Sequence, residues 1–138
     1  MNELIVRIPK HLKFQIVEIS DVKNAKNLSS ASLKQEEGVL FLNKIEATDF
    51  LILLDENGKH FNSIEFSENL QQKMNQSFKH LVFCIGGAFG FSKEMHERAN
   101  EKISFSKMTF THQMIRLFFV EQLYRAFSII EGKPYHNE

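Results

Sequence analysis

The hydrophobic positions of this chain form short continuous runs and one alternating run, which predicts several β-strands. Two runs, 50–54 (FLILL) and 80–85 (HLVFCI), are bounded by turn residues, a pattern typical of strands covered on both faces. The first of them is expected to end at Leu54. Residues 14–20 (FQIVEIS) alternate and are rich in β-formers. A further strand is expected to begin at about Ile103 and to run into a loop.

Other segments combine helical spacing of apolar residues with capping residues at their starts, which predicts four helices. A serine precedes the first and the third of them. Asn62 and Glu65 stand in the spacing of a capping box, which satisfies main-chain N–H groups in the first turn of the second. The helices are expected to cover residues from 29 or 30 to about 45, 62–77, 92–100 and 112–130.

Strands that alternate with helices along the chain predict an α/β fold with a mostly parallel sheet flanked by helices. We expect a single domain over residues 1–138, because two prolines and six glycines leave little room for a linker. In such sheets, ligands bind beyond the carboxyl ends of the strands. The loops after Leu54, Ile85 and Phe105 are therefore expected to lie on one candidate rim.

The last helix is apolar over well more than half of its circumference, which is wider than the stripe of an ordinary surface helix. Such a helix has two faces to bury. One can lie on the sheet, and contact of the other with a second subunit predicts a homodimer; a central helix within a monomer is the alternative. Glu121 and Arg125 on this helix also have the spacing of an i,i+4 ion pair.

The charge balance argues against a strongly basic nucleic-acid-binding protein, because the formal net charge is zero. Residues 1–70 carry 8 Lys/Arg and 11 Asp/Glu, which gives −3, whereas residues 71–138 carry 9 and 6, which gives +3. The C-terminal half is thus the better place for an anion.

The only cysteine, Cys84, lies inside an apolar run and is expected to be a buried thiol. No Cys/His cluster has the spacing of a zinc site, so we expect no metal. No apolar stretch is long enough to span a membrane, and the N-terminus lacks the features of a signal peptide. A cytoplasmic protein that is not bound to a membrane is expected.

Glycines interrupt the chain between a predicted strand and a predicted helix in LVFCIGGAFGFSKE, residues 81–94. The segment lacks the GxxxxGK[ST] pattern of a P-loop. Its GGxxG spacing after a late strand, with no acidic residue about 20 positions later, also differs from the dinucleotide fingerprint. A tight strand-to-helix turn and a loop that binds a small ligand through its backbone both remain open.

Three segments, LLDENGK, LVFCIGGAFGFS and ISFSKMTFTHQMIRLFFVEQLYRAFSIIEGKPYH, occur in an order that is specific to one family. With them the chain resembles the RlmH (YbeA-like) family of SPOUT-superfamily methyltransferases. Members of that family act on a pseudouridine of bacterial 23S ribosomal RNA. The resemblance extends from about Phe14 to His136.

The resemblance implies a SPOUT-type α/β knot, with a deep C-terminal trefoil knot, and a homodimer formed through the C-terminal helix. It also implies S-adenosyl-L-methionine as the cofactor, held in a bent form by the loops of the knot. Adenine needs apolar walls and backbone hydrogen-bond partners more than charges. The cofactor-binding residues that the resemblance implies are Leu54, Gly86, Phe105, Ser106, Lys107, Met108, Thr109 and Phe110.

The implied reaction is transfer of a methyl group to N3 of pseudouridine, on the 23S rRNA of the assembled ribosome. An imide N–H is a poor nucleophile until its proton leaves, so a base and correct positioning are needed. The resemblance places Tyr135, His136 and Arg125 near the target base, with His112 as a further candidate. His136 is our choice for proton handling. Possible RNA contacts are Lys73, Lys79, Lys93, Arg98, Lys102, Lys107 and Lys133.

The N-terminal end departs from the family pattern, which usually has a further strand and a helix before the segment that contains residues 14–20. The domain is therefore expected to be shortened there, and residues 3–8 (ELIVRI) either replace that strand or keep part of the helix. A shortened, non-catalytic homologue that dimerises and binds cofactor or RNA is the alternative function. A methyltransferase for small molecules on the same scaffold is a third.

Overall fold

The computed structural model describes residues 4–9, 15–19, 22–76, 78, 80–86, 90–105 and 112–132, of which 4–9, 112 and 113 are described by their main chain alone. In these ranges strands alternate with helices. The strands are β1 (Leu4–Pro9), β2 (Gln15–Glu18), β3 (Phe50–His60), β4 (His80–Ile85) and β5 (Glu101–Ser104). The helices are α1 (Ser30–Leu42), α2 (Ser63–Met74), α3 (Lys93–Arg98) and α4 (His112–Ile130).

Side-chain caps fix where the first three helices begin, as the sequence predicts. Ser29 accepts a hydrogen bond from the main-chain N–H of Ser32 at 3.1 Å, and Ser92 accepts one from Met95 at 3.3 Å. At the start of α2 the capping box is complete: the Asn62 side chain accepts from the Glu65 N–H, and the Glu65 carboxylate accepts from the Asn62 N–H. These bonds satisfy donors that a helix leaves without partners in its first turn.

The first helix ends earlier than predicted. Regular α-helical structure stops at Leu42, whereas the sequence suggested an end near Ile45. The main-chain N–H groups of Lys44 and Ile45 instead bond to the carbonyls of Phe41 and Leu42, three residues back. The last turn is therefore tightened into the i→i+3 pattern that is common at helix ends.

The described strands form one sheet in the order β2-β1-β4-β3-β5. The β3–β4 and β3–β5 pairs are parallel, whereas β1 is antiparallel to both β2 and β4. Among the described strands, four thus run in one direction and β1 opposes them. The prediction of an α/β fold with a mostly parallel sheet is confirmed.

The sheet has a separate hydrophobic core on each face, because successive side chains of a strand point to opposite sides. On one face, Ile52 of β3 and Phe83 of β4 pack with Phe66 and Leu70 of α2 and with α4. The other core is formed with α1 and α3; its buried members are Ile19, Phe41, Leu51, Leu53, Val82, Cys84, Phe91 and Met95. Cys84 is therefore a buried residue of β4, as predicted, and the arrangement is an α/β/α sandwich.

The N-terminal segment is a strand that occupies an interior place in the sheet. β1 pairs over six residues with β4, from Leu4 opposite Ile85 to Pro9 opposite His80, and its other edge pairs with β2. Of the two interpretations of this segment, the structure has the strand, and whether it takes the place of the family's first strand stays a prediction.

The third strand continues beyond the predicted end at Leu54, so that prediction is wrong. Leu54 pairs with Ile103 of β5, and after four intervening residues Lys59 pairs with the same Ile103. Asp55–Gly58 therefore form a bulge, after which pairing resumes as far as His60. The turn-forming residues bend the strand here and do not end it.

The opposite end of the sheet is organised by the buried carboxylate of Asp49. Its two oxygens accept from the Glu46 N–H at 2.9 Å and contact Nδ1 of His80 at 3.1 Å. Glu46, Asp49 and His80 have the composition of a cation site. Arg98 donates to the main-chain carbonyls of Glu46 and Asp49, each at 2.9 Å, which ties the end of α3 to this turn.

Candidate active site

Leu54 of β3, the last residue before the bulge, stands beside the carboxyl ends of β4 and β5. Leu54 of β3 pairs with Ile85 of β4 on one edge and with Ile103 of β5 on the other. Asp55, Gly86 and Ser104 follow these residues directly along their strands. The structure thus brings the bulge of β3 together with the ends of β4 and β5, from which the other two predicted cofactor loops leave, and we call this edge the rim.

Gly86 on the rim is packed against an aromatic ring. A Cβ atom added at Gly86 would lie 2.9 Å from two carbons of the Phe91 ring, closer than real Cβ contacts. That ring in turn packs on Phe41, with 5.9 Å between centroids, and edge-on against His96 at 6.2 Å. Close approach of a ligand was the predicted reason for this glycine; the structure adds a packing reason.

We expect Gly86→Ala to lower the free energy of unfolding by about 1–3 kcal/mol, because the new methyl group overpacks the Phe91 ring. Phe91→Leu removes the atoms that would clash. In urea denaturation, the Gly86→Ala/Phe91→Leu double variant should be less destabilised than the sum of the two single variants. If the changes in unfolding free energy were strictly additive, the contact with Phe91 would not be the reason for glycine at position 86.

Phe105 leaves β5 at the rim, but its ring turns into the protein. It stacks on Phe119 of α4 at 5.8 Å and 15° and meets Phe66 of α2 edge-on at 5.8 Å. The ring therefore belongs to the core shared by α2 and α4, and it is the main chain of Phe105 that lies at the rim. The other predicted residues of this loop, Ser106, Lys107, Met108, Thr109 and Phe110, lie outside the described residues.

Arg125 lies in the C-terminal half of α4 and is held by a carboxylate one turn away. Its Nη2 is 2.5 Å from Oε1 of Glu121, and its Nε is 3.5 Å from Oε2 of the same residue. Gln122 donates to Glu121 Oε2 at 3.2 Å and accepts from the Ser63 hydroxyl at 2.9 Å, which links the group to the start of α2. The predicted ion pair is present, and it fixes the orientation of the guanidinium.

The remaining catalytic candidates are only partly covered. His112 is the first residue of α4, and its main chain alone is described. Tyr135 and His136 lie outside the described residues. Their predicted roles stay predictions.

Sequence reasoning missed two residues beside the rim, Asp55 and His96. Asp55 follows Leu54, and its Oδ1 accepts a hydrogen bond from the main-chain N–H of Asn57 at 2.9 Å. Its Oδ2 lies 3.7 Å from Nε2 of His96 on α3. The Asp-x-Asn spacing in the sequence is typical of an Asx turn and could have indicated the first contact. No local pattern marks His96, because its neighbour comes from a distant part of the chain.

Comparison with known proteins identifies the family. A family model described as "Predicted SPOUT methyltransferase" matches residues 1–136. Proteins named "Ribosomal RNA large subunit methyltransferase H" are similar over the whole chain: the one from Flavobacterium johnsoniae is 55% identical and the one from Parabacteroides distasonis 50%, each with 88% of its own length covered. The chain belongs to the RlmH family of SPOUT methyltransferases. The protein of that name from Cytophaga hutchinsonii is 52% identical over 95% of this chain and 84% of its own.

Membership of the RlmH family confirms the resemblance and implies the knotted α/β fold of SPOUT methyltransferases. Among the described residues, Gly58 marks a place where two stretches of main chain pass unusually close. A Cβ atom at Gly58 would lie 2.7 Å from backbone atoms of Lys102 and Ile103. The bulge in β3 therefore lies against its neighbour β5 at a distance that only glycine allows.

The cations predicted to contact RNA differ in whether they already form ion pairs or hydrogen bonds within the protein. Lys73 forms an ion pair of 2.8 Å with Glu101 and lies over the ring of Phe50. Arg98 is engaged with main-chain carbonyls, as described above. These two cations hold this RlmH-family fold together, whereas Lys93 is exposed and faces Glu97 at 3.7 Å.

The long helix of this RlmH-family chain has one buried and one exposed apolar face. Phe119, Leu123 and Ala126 are buried against the sheet and α2. Leu117 and Tyr124 on the helix are 62% and 57% exposed. Within the described residues, no helix combines the length and hydropathy that a bilayer-spanning segment needs.

Proposed function

We propose that this chain is an S-adenosyl-L-methionine-dependent methyltransferase that methylates N3 of a pseudouridine in 23S ribosomal RNA, on the assembled ribosome. Its similarity over the whole chain to proteins named ribosomal RNA large subunit methyltransferase H carries this proposal. The bulge of β3 and the neighbouring ends of β4 and β5 support it, because they provide a place where a ligand can be bound. A protein with this substrate acts in the cytoplasm, where ribosomes are.

The described part of the rim fits an adenosine-containing cofactor. Adenine binding requires apolar surface together with main-chain donors and acceptors. The half-buried side chain of Leu54 supplies apolar surface, and Gly86 and Phe105 bring main chain to the same edge. We assign the remaining contacts with the cofactor to the segment from Ser106 to Phe110. Bound there, the cofactor supplies an electrophilic methyl group.

The reaction breaks the bond between sulfur and the methyl carbon while a bond from N3 of pseudouridine to that carbon forms. The proton on N3 must leave, and we propose that His136 accepts it, with Tyr135 and His112 as further polar groups at the target base. The N3 anion needs positive charge nearby. We assign this charge to Arg125, whose guanidinium is oriented by Glu121.

The active protein is proposed to be a homodimer joined through α4. The exposed apolar side chains Met114, Leu117 and Tyr124 lie on this helix, and a second copy would cover them. We propose no metal and no membrane partner.

The test uses ribosomes from a bacterial strain that lacks the corresponding methyltransferase. Purified protein and cofactor are added, and methyl transfer to 23S rRNA is followed with a labelled methyl group and located by digestion and mass spectrometry. We expect one methyl group per ribosome, on a pseudouridine. Cofactor binding in calorimetry without any transfer to RNA would instead favour the non-catalytic homologue.

His136→Ala should lower turnover at saturating cofactor by about 100-fold or more, the contribution typical of a general base. Its affinity for the cofactor should stay within about twofold, because the change removes an interaction of the reacting base only. An unchanged turnover would remove His136 from the mechanism. Asn137→Ala, at the adjacent position, serves as the control.

A further inference from the structure

The bulge of β3 presents an asparagine whose main chain is held on both sides. The N–H of Asn57 donates to Oδ1 of Asp55 at 2.9 Å. The next residue, Gly58, lies against β5, where an added Cβ atom would be 2.7 Å from backbone atoms of Lys102 and Ile103. Bulges of this kind often lie next to active sites, where they give a side chain a new direction. The Asn57 side chain thus extends from a fixed point on the rim.

An open hollow of about 510 Å³ lies at this bulge and is lined by Glu56, Asn57, Gly58 and His60. Its volume is within the range of sites that bind small organic groups. Within the described part of the chain, the side chains of Glu56, Asn57 and His60 make no hydrogen bond or ion pair. The hollow begins two residues after Leu54, the predicted cofactor residue on β3. It therefore offers polar groups without internal partners close to the proposed methyl donor.

The chemistry of the hollow favours a neutral base over a phosphate group. Its described lining holds a carboxylate, a carboxamide and an imidazole, and no lysine or arginine is among these residues. The carboxylate of Glu56 would repel a phosphate. Proteins recognise unstacked RNA bases through hydrogen bonds to the base edges. The carboxamide of Asn57 matches such an edge, because its oxygen accepts and its NH₂ donates side by side.

Pseudouridine has an edge that matches a carboxamide and that uridine lacks. Its ring is joined to ribose through C5, so N1 carries a hydrogen next to the C2 carbonyl. In uridine N1 bears the ribose and has no hydrogen to donate. The C2 carbonyl also adjoins N3, the proposed methyl acceptor. A donor to O2 therefore stabilises the N3 anion, whose negative charge spreads onto that oxygen.

We infer that Asn57 is the residue that distinguishes pseudouridine from uridine. Its carboxamide oxygen accepts a hydrogen bond from N1–H of the target base, and its NH₂ donates to O2. The inference rests on the proposed function, and it names the group that reads the base at the same site. A carboxamide serves here better than a carboxylate, because a negative charge beside the ring would oppose formation of the N3 anion.

The test compares two ribosome substrates that differ in one base. One comes from a strain that lacks the corresponding methyltransferase and carries pseudouridine at the target position. The other comes from a strain that also lacks the pseudouridine synthase for that position and carries uridine there. Transfer of a labelled methyl group gives kcat/KM for each substrate, calorimetry gives the affinity for S-adenosyl-L-methionine, and urea denaturation gives the free energy of unfolding.

Three variants are compared with the unchanged protein. Asn57→Leu keeps the approximate size of the side chain and removes both hydrogen-bonding groups, whereas Asn57→Gln keeps the carboxamide on a longer side chain. Asn43→Leu removes an exposed carboxamide at the end of α1, which packs on the other face of the sheet from α4, and serves as the matched control.

We expect Asn57→Leu to lower kcat/KM on pseudouridine by about 10- to 100-fold, the scale on which a bidentate contact discriminates between bases. On uridine its kcat/KM should stay within about threefold of the unchanged protein, because that base lacks the N1–H. The affinity for the cofactor should stay within about twofold. Asn57→Gln should retain kcat/KM on pseudouridine to within about fivefold, and Asn43→Leu should match the unchanged protein on both substrates.

The outcomes separate this inference from the proposed function. If Asn57→Leu methylates pseudouridine as fast as the unchanged protein, or loses equally on both substrates, Asn57 does not read the N1–H and the proposed function stands. If transfer to uridine is below detection in every protein, the loss on pseudouridine in Asn57→Leu and its recovery in Asn57→Gln decide. A loss that Asn57→Gln does not recover, or that follows a fall in the free energy of unfolding, would overturn the inference. If the unchanged protein methylates neither substrate, both proposals fall.

Discussion

Gly58→Ala is expected to prevent this chain from reaching its native fold. The added methyl carbon would lie 2.7 Å from three backbone atoms of Lys102 and Ile103. A backbone cannot turn aside as a flexible side chain can, so the bulge of β3 and the strand β5 would have to separate. Both belong to the parallel part of the sheet, and their separation would disturb the rim as well as the core.

We expect a loss of more than about 4 kcal/mol, which is a large part of the stability of an ordinary domain. The measurement is urea unfolding followed by circular dichroism, after refolding of the purified chain from denaturant. Glu56→Ala, an exposed position of the same bulge, should change the free energy of unfolding by no more than about 0.5 kcal/mol. A Gly58→Ala chain as stable as Glu56→Ala would show that β5 can move away without cost.

The features that follow from local sequence could be predicted, because their causes lie within a few residues. The caps at Ser29, Asn62 and Ser92 each join residues three positions apart, and the structure has all of them. The strand His80–Ile85 is marked by its own apolar run. The common edge of the rim follows from the rule for parallel sheets and needs no knowledge of side-chain positions.

The features that depend on distant partners could not be predicted in the same way. The turn signal at Asn57 and Gly58 is real, but the strand resumes after it because β5 offers further hydrogen bonds. The ring of Phe105 packs against Phe66 and Phe119, a direction set by the packing of α2 and α4 that no local pattern indicates. The knot is implied only by the resemblance to a family, since the periodicity of hydrophobic residues carries no information on how a chain threads.

Arg125→Met is expected to lower the rate of methyl transfer far more than it lowers stability. The ion pair with Glu121 is partly exposed, and pairs of this kind contribute about 0.3–0.5 kcal/mol on a helix. A cation that stabilises developing negative charge at the reacting base is worth about 100- to 1,000-fold in rate. Loss of the ion pair would therefore change the free energy of unfolding only slightly. Loss of the catalytic charge would raise the activation free energy of methyl transfer by several kcal/mol.

Glu121→Gln separates these roles, because it breaks the same ion pair and leaves the guanidinium in place. If Arg125 serves only the ion pair, the two variants should have equal stability and equal activity. We expect equal stability but unequal activity, with a loss of about 10-fold for Glu121→Gln, which orients the cation less well. Single-turnover methyl transfer to ribosomes at saturating cofactor measures this difference, and sedimentation checks that both variants have the oligomeric state of the unchanged protein. Equal rates in Arg125→Met and the unchanged protein would leave Arg125 with a structural role alone.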